Sequence, residues 1–283
     1  MGRGPRARSG AVSGVCVRGV GVHSGASVTV RLHRSEGPLA FRLGATIVAA
    51  DVDQVVATPR CTVLGEGGAT VAMVEHLLAA LAVAGFWSGV VIEVDGPELP
   101  ILDGSAAPWR EAVAELGAPP APPEALHVAH DVRFEHEGTT IELRAGAPSL
   151  EVGVVFDEPI GSQRWSGPPE RYGELLDART FAFRHELEAL WARGLALGAA
   201  PGRGVVFAAH GPEGPLRSAD EPVRHKALDA VGDLVLLGRP LAAAVRIDRG
   251  SHAAHVTFMR HLRTLPFMSA DERSSSSVSR SRA

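Results

Sequence analysis

Near the middle of the chain stands Pro119-Pro120-Ala121-Pro122-Pro123, and neither a helix nor a paired strand can run through it. Each proline removes a backbone N–H and fixes φ, so residues 118–123 read as a semi-rigid linker. The run divides the 283 residues into two stretches, each long enough for a core of its own. We therefore expect an N-terminal domain over residues 11–117 and a C-terminal domain over 124–268. The basic stretch 1–10, with Arg3, Arg6 and Arg8, and the Ser/Arg-rich stretch 269–283 are expected to be disordered tails.

Both stretches open with short runs that alternate apolar and polar residues and break at Gly or Pro, as strands do. Val28-Thr29-Val30-Arg31-Leu32 is the clearest in the first, and residues 128–134, 139–143 and 150–156 are its counterparts in the second. Each stretch then passes into a helix that carries histidine and acid. The first, over residues 74–81, is apolar nearly all round and should be buried. Thr70 is its expected N-cap and Gly85 its end. Glu75 and His76 interrupt the apolar run, and a buried carboxylate needs a partner, either a metal or a hydrogen bond. The second helix starts near Pro222, with Leu228, Val231, Val235 and Leu236 at helical spacing. On it His225 and Asp229 share a face one turn apart, and Asp233 follows one turn later. That stripe is either half of a metal site or an exposed polar face. The parallel between the halves predicts an α+β fold of two pseudo-duplicated domains, each a sheet with helices, although the residues themselves show no repeat.

The segments between complete the inventory. Gly21-Val22-His23-Ser24-Gly25 reads as a turn, leaving His23 either a turn residue or a ligand contact. A strand at 89–94 leads through an Asp/Gly/Pro loop to a short helix near 109–116. Helical stretches follow at 172–178 and 184–193, the latter ended by Gly194. The small apolar segment 195–206 can line a hydrophobic passage. A strand at 242–247 and the turn Arg249-Gly250-Ser251-His252 precede the last helix.

A formal net charge of −4 argues against a general nucleic-acid binder. No apolar run has the length of a membrane span. Cys16 and Cys61 are too few for a disulfide framework or a cysteine-based zinc site. With no secretory signal visible, a reducing cytoplasm is the expected location.

The polar residues fit one reaction. A catalytic zinc takes three protein ligands and keeps one position open, and His76, His225 and Asp229 supply two imidazoles and a carboxylate. Glu75 beside a ligand can accept a proton from water. Amide hydrolysis also needs an acid for the leaving amine, which His252 can provide with Asp233 orienting its ring. Thr180 and Lys226 can stabilise the developing oxyanion.

Val74-Glu75-His76-Leu77, the Glu98-Leu99-Pro100-Ile101-Leu102-Asp103-Gly104-Ser105-Ala106 loop, Ala178-Arg179-Thr180-Phe181 and the helix from His225 to Asp233 together resemble the UDP-3-O-acyl-N-acetylglucosamine deacetylases. These are the zinc amidases of lipid A biosynthesis. Gly21-Val22-His23-Ser24-Gly25 and Thr58-Pro59-Arg60-Cys61-Thr62 are similar to that family's N-terminal motifs, and the likeness runs colinearly over residues 11–265. The resemblance implies helices packed between the two sheets, with the active site at the domain interface. It also implies one Zn2+ per chain (Fe2+ being the alternative) on His76, His225 and Asp229, with Glu75 as base and His252 as acid. Thr180, Lys226 and Asp233 match supporting residues. Phe181, Lys226, His23 and Arg249 would contact the substrate, with Arg249 near its diphosphate. A passage built by the second domain's insertion would take the 3-hydroxyacyl chain of UDP-3-O-acyl-N-acetylglucosamine. The chain departs from the family pattern at Ala199-Ala200-Pro201-Gly202-Arg203 and at Gly250-Ser251. A monomer is expected. The competing expectations are an amidase of another N-acylated sugar and a non-catalytic paralogue that binds an acylated sugar nucleotide.

Overall fold

The computed structural model describes residues 14–266, so the tails expected at 1–10 and 269–283 lie outside the described residues. The first half runs β1 (Val15–Val20), β2 (Ser27–Pro38), β3 (Ala40–Leu43), β4 (Thr46–Ala49), β5 (Val55–Ala57), β6 (Val63–Glu66), β7 (Ala69–Ala72), α1 (Glu75–Val83), β8 (Ser88–Val94) and α2 (Ala107–Ala114). The second runs β9 (Val132–His136), β10 (Thr139–Ala145), β11 (Ser149–Val155), β12 (Ser162–Gly167), β13 (Phe181–Phe183), α3 (Arg184–Trp191), β14 (Val205–Ala208), β15 (Gly211–Pro212), α4 (Glu221–Leu234), β16 (Ala243–Asp248) and α5 (His252–Leu262).

The two halves share one topology. The first sheet has the order β1-β2-β8-β3-β4, and the second, read from its other edge, β9-β10-β16-β11-β12. In each, two hairpins flank the strand made last. β8 is antiparallel to β2 and parallel to β3, and β16 is antiparallel to β10 and parallel to β11. The alternation read from the sequence explains which face is covered: Val28, Val30 and Leu32 of β2 are buried, as are Val90, Ile92 and Val94 of β8. The pseudo-duplication is therefore a duplication of topology. Each half also accepts an insertion at the same place, between its fourth strand and the central helix, α1 in the first half and α4 in the second. In the first half this is the small sheet β5-β6-β7, and in the second it is β13, α3, β14 and β15.

One apolar cluster runs from Leu32, Phe41 and Ile92 of the first sheet through Leu77, Leu78 and Leu81 of α1. It continues through Val223 and Leu228 of α4 to Leu143, Val152 and Ile247 of the second sheet. The helices thus lie between the sheets. α1 is covered on every side from Glu75 to Leu81, which accounts for its nearly uniform hydrophobicity. It crosses α4 at Gly232, where a Cβ would stand 2.0 Å from the carbonyl oxygen of Glu75. Only glycine allows the two backbones to come so close.

Two local expectations are corrected. Thr70 does not cap α1; it lies in β7, opposite Gly65. Gly67 and Gly68 take φ of 57° and 84°, the two left-handed residues that a tight hairpin turn demands, and they fold the segment back on β6. The helix starts instead after Met73, itself at φ 63°. Residues 172–178 form no α-helix; a 3-10 segment, Pro169–Leu175, stands there.

Candidate active site

The site is assembled from the start of α4 outward. Glu221, in the first turn, is buried and accepts hydrogen bonds from the backbone N–H of Arg179 (3.0 Å) and Arg217 (2.7 Å) and from Nε of Arg179 (2.8 Å). Burial opposes its ionisation, but Arg179 and these amides more than offset it and hold the carboxyl below the usual range. This clamp fixes the segment before β13 against α4, and the carbonyl of Ala178 meets Nδ1 of His225 at 3.2 Å. With Nδ1 committed to a carbonyl, Nε2 of His225 is left as a lone pair, 3.4 Å from Oδ1 of Asp229.

His76 arrives from α1 on the other half, its Nε2 3.8 Å from the same oxygen. The two imidazoles meet edge to face at 5.0 Å. Donor atoms of His76, His225 and Asp229 all lie within 4.8 Å of one another, and all three residues are buried. Burial and the neighbouring His225 push His76 down to about 3, and burial also lowers His225, so both rings are neutral. Asp229 is held well below the carboxylate range; burial resists this, but His225 and Lys226 outweigh it, with Nζ of Lys226 donating to Oδ2 at 2.8 Å. Two neutral imidazoles and a carboxylate in a closed space are a donor set for a divalent transition metal. Neutral rings are also what ligation requires.

Beside this triad stands a second group. Glu75 accepts at Oε2 from the N–H of Thr62 (3.1 Å), and burial raises its pKa to about 7. The Thr62 hydroxyl donates to Oδ1 of Asp233 at 2.6 Å. Oδ2 of Asp233 takes Nδ1 of His252 at 2.8 Å and Nδ1 of His255 at 2.7 Å. Burial works against a charged His252, but Asp233 and Glu75 more than compensate and bring it to about 9. Its Nε2 faces the triad, 3.9 Å from Oδ2 of Asp229. The geometry therefore offers, beside the triad, a carboxylate able to take a proton and an imidazolium able to give one.

Other expected residues lie around a cavity of about 680 Å³, which Thr180, Phe181 and His23 line together with the 199–206 segment. Phe181 touches the site through its ring, edge-on to His225 at 6.3 Å. Thr180 is pinned by its N–H to the carbonyl of Gly104 (2.7 Å). Arg249 is not drawn into the cluster. It holds a left-handed turn (φ 56°) before α5, is exposed, and its guanidinium has no ion-pair partner among the described residues. Arg60, Met73 and Ala196 also have positive φ and border the cavity, so backbone strain collects around the site.

Three contributors were given no role from the sequence, although Thr62 and Glu98 stand in two of the family-like motifs. Thr62 joins Glu75 to Asp233, partners 13 and 171 residues away, and no local pattern marks such a hydroxyl. Glu98, also buried, shapes the turn that carries His23 by accepting from the N–H of His23 (3.1 Å) and Ser24 (2.6 Å). His255 could have been found: it stands three residues after His252 on one helical face.

The family model for UDP-3-O-acyl N-acetylglycosamine deacetylase matches residues 11–264. Similar proteins named UDP-3-O-acyl-N-acetylglucosamine deacetylase occur in Thermosynechococcus vestitus, at 40% identity over 86% of this chain and 89% of the relative. Another, from Nitratidesulfovibrio vulgaris, is 36% identical over 88% and 85%, and one from Brucella ovis 38% over 84% and 88%.

Proposed function

The chain belongs to the UDP-3-O-acyl-N-acetylglucosamine deacetylase family, and from that premise we propose that Glu75, His76, His225, Asp229 and His252 form its active centre. It removes the N-acetyl group from UDP-3-O-(3-hydroxyacyl)-N-acetylglucosamine, the committed step of lipid A biosynthesis. The observation that carries the site assignment is the convergence of two imidazoles and a carboxylate from both halves in one buried cluster beside Glu75 and His252.

His76, His225 and Asp229 would hold one Zn2+, with Fe2+ the second candidate for the same donor set. When bound, such an ion supplies Lewis-acid polarisation of the amide carbonyl and makes water more acidic. Glu75 accepts a proton from the attacking water as its oxygen bonds to the acetyl carbon. Thr180 and Lys226 face the oxyanion that forms at the former carbonyl. His252 donates from Nε2 to the sugar nitrogen as the C–N bond breaks, so acetic acid and a neutral amine leave and the proton held by Glu75 restores His252. Asp233 accepts from Nδ1 of His252 throughout, keeps the ring turned and favours its charged form before the transfer. The cavity beside Phe181 takes the acyl chain, His23 contributes to its wall, and Arg249 approaches the diphosphate from the surface.

The two topological halves are read as domains 11–117 and 124–268, joined by 118–123. A cytoplasmic monomer fits the reading; no helix among the described residues is long and apolar enough to cross a membrane. The decisive assay follows acetate release from UDP-3-O-acyl-N-acetylglucosamine before and after chelation. Activity should disappear with the chelator and return with Zn2+ or, anaerobically, Fe2+. A metal-replete protein that releases no acetate would sink the assignment.

A further inference from the structure

Resting on the deacetylase reading above, we propose that His255 is a positioning residue for the acid His252, acting through the carboxylate that the two share. α5 presents both imidazoles on one face, and both Nδ1 atoms reach the same oxygen, Oδ2 of Asp233, at 2.8 and 2.7 Å. Asp233 is wholly buried, so its oxygens need donors. Oδ1 has the Thr62 hydroxyl at 2.6 Å. That hydroxyl also lies 3.3 Å from Nδ1 of His252, which gives the ring a second acceptor if the carboxylate swings away. His255 removes this freedom. Asp233 is gripped by Thr62 at one oxygen and by His255 at the other, and Oδ2 stays on His252. Nε2 of His252 is thereby kept facing the triad.

His255 is seated for that task alone. Its ring is buried, and Nε2 has no hydrogen-bond partner. Gly250 lies against it; a Cβ there would come within 2.7 Å of Nε2. A proton on Nε2 would be an orphaned buried donor, so the geometry sets the ring's donor at Nδ1, against Oδ2 of Asp233. No step of the deacetylation uses His255 directly; its ring lies edge-on to His252 at 6.3 Å, but its hydrogen bond reaches His252 only through Asp233.

His255→Leu removes the donor but keeps apolar bulk, whereas His255→Asn keeps an N–H close to the Nδ1 position. The leucine variant should lower kcat by about tenfold or more, with KM and metal content unchanged, and the asparagine variant should recover most of the loss. Placed on Asp233→Ala, the leucine change should lower kcat no further. If His255→Leu does not fold, His255→Met takes its place, since methionine adapts to irregular space. Equal losses in the leucine and asparagine variants, or a loss that adds to Asp233→Ala, would overturn the positioning role and leave only packing. Nitrogen NMR of the wild type should show His255 as the Nδ1–H tautomer, and an Nε2–H tautomer also overturns it. Failure of the wild type to release acetate overturns the deacetylase reading itself; an active wild type with an undiminished His255→Leu overturns only the inference about His255.

Discussion

Glu75 and His252, the proposed base and acid, sit in one desolvated space and are shifted by different surroundings. Burial raises the carboxyl to about 7, while the Asp233 carboxylate lifts the imidazole to about 9 against its own burial. A divalent cation on the neighbouring ligands lowers both. The base must be ionised and the acid protonated, so the rate should rise with pH through the first group and fall through the second. Replacing Asp233 by Asn removes the charge that favours imidazolium. Asp233→Asn should therefore lower kcat and move the alkaline limb to lower pH in a pH–rate profile; an unmoved limb contradicts the orienting role. Glu75→Ala should retain its metal by elemental analysis while losing most turnover. Much of this was legible from spacing: His225, Asp229 and Asp233 follow a helical period, and Glu75-His76 breaks an apolar run. Thr62 and Glu98 were not, because their partners are fixed by tertiary folding rather than by neighbours in sequence.

Elements meet where side chains are smallest. The crossing of α1 and α4 depends on Gly232 lying against the Glu75 carbonyl, so Gly232→Ala must push apart the helices that carry His76 and His225. Denaturant unfolding should show a loss of about 2 kcal/mol or more, with activity falling beyond what stability explains. A second junction, Glu221 with Arg179 and Arg217, has a pH signature. The Glu221 carboxyl is lower in the folded chain than its unfolded value of about 4.3. Its contribution is therefore complete above that value and lost as pH falls through the folded one. Glu221→Gln should lower Tm at pH 7 and flatten the acid limb of Tm against pH; an unchanged limb would assign acid sensitivity elsewhere. Sequence misjudged the elements where glycine pairs act. Gly67-Gly68 drew Thr70 into a hairpin, whereas Gly85, at φ 86° just past α1, ended its helix as expected.

At the scale of the molecule, the candidate ligands come from both halves, His76 from α1 and His225 and Asp229 from α4. A metal that binds only the folded chain adds about 2.7 kcal/mol when free metal is a hundredfold above Kd. Chelation should lower Tm measurably, and His225→Ala should erase the difference between chelated and metal-replete protein. The likeness of the two sheets was only suggested by the sequence, since what is repeated is strand order and the residues have no common pattern to show it. That order bears on how the chain is made. β8 enters between β2 and β3, and β16 between β10 and β11, so in each half the strand that joins two finished hairpins is the last to leave a ribosome. Until it arrives, the hairpins face one another with open edges, the state most prone to pair with other chains. Translation halted ahead of β16 leaves the second sheet unjoined and also omits α5, which carries His252. Such a nascent chain should collect in aggregates rather than survive as a slower enzyme.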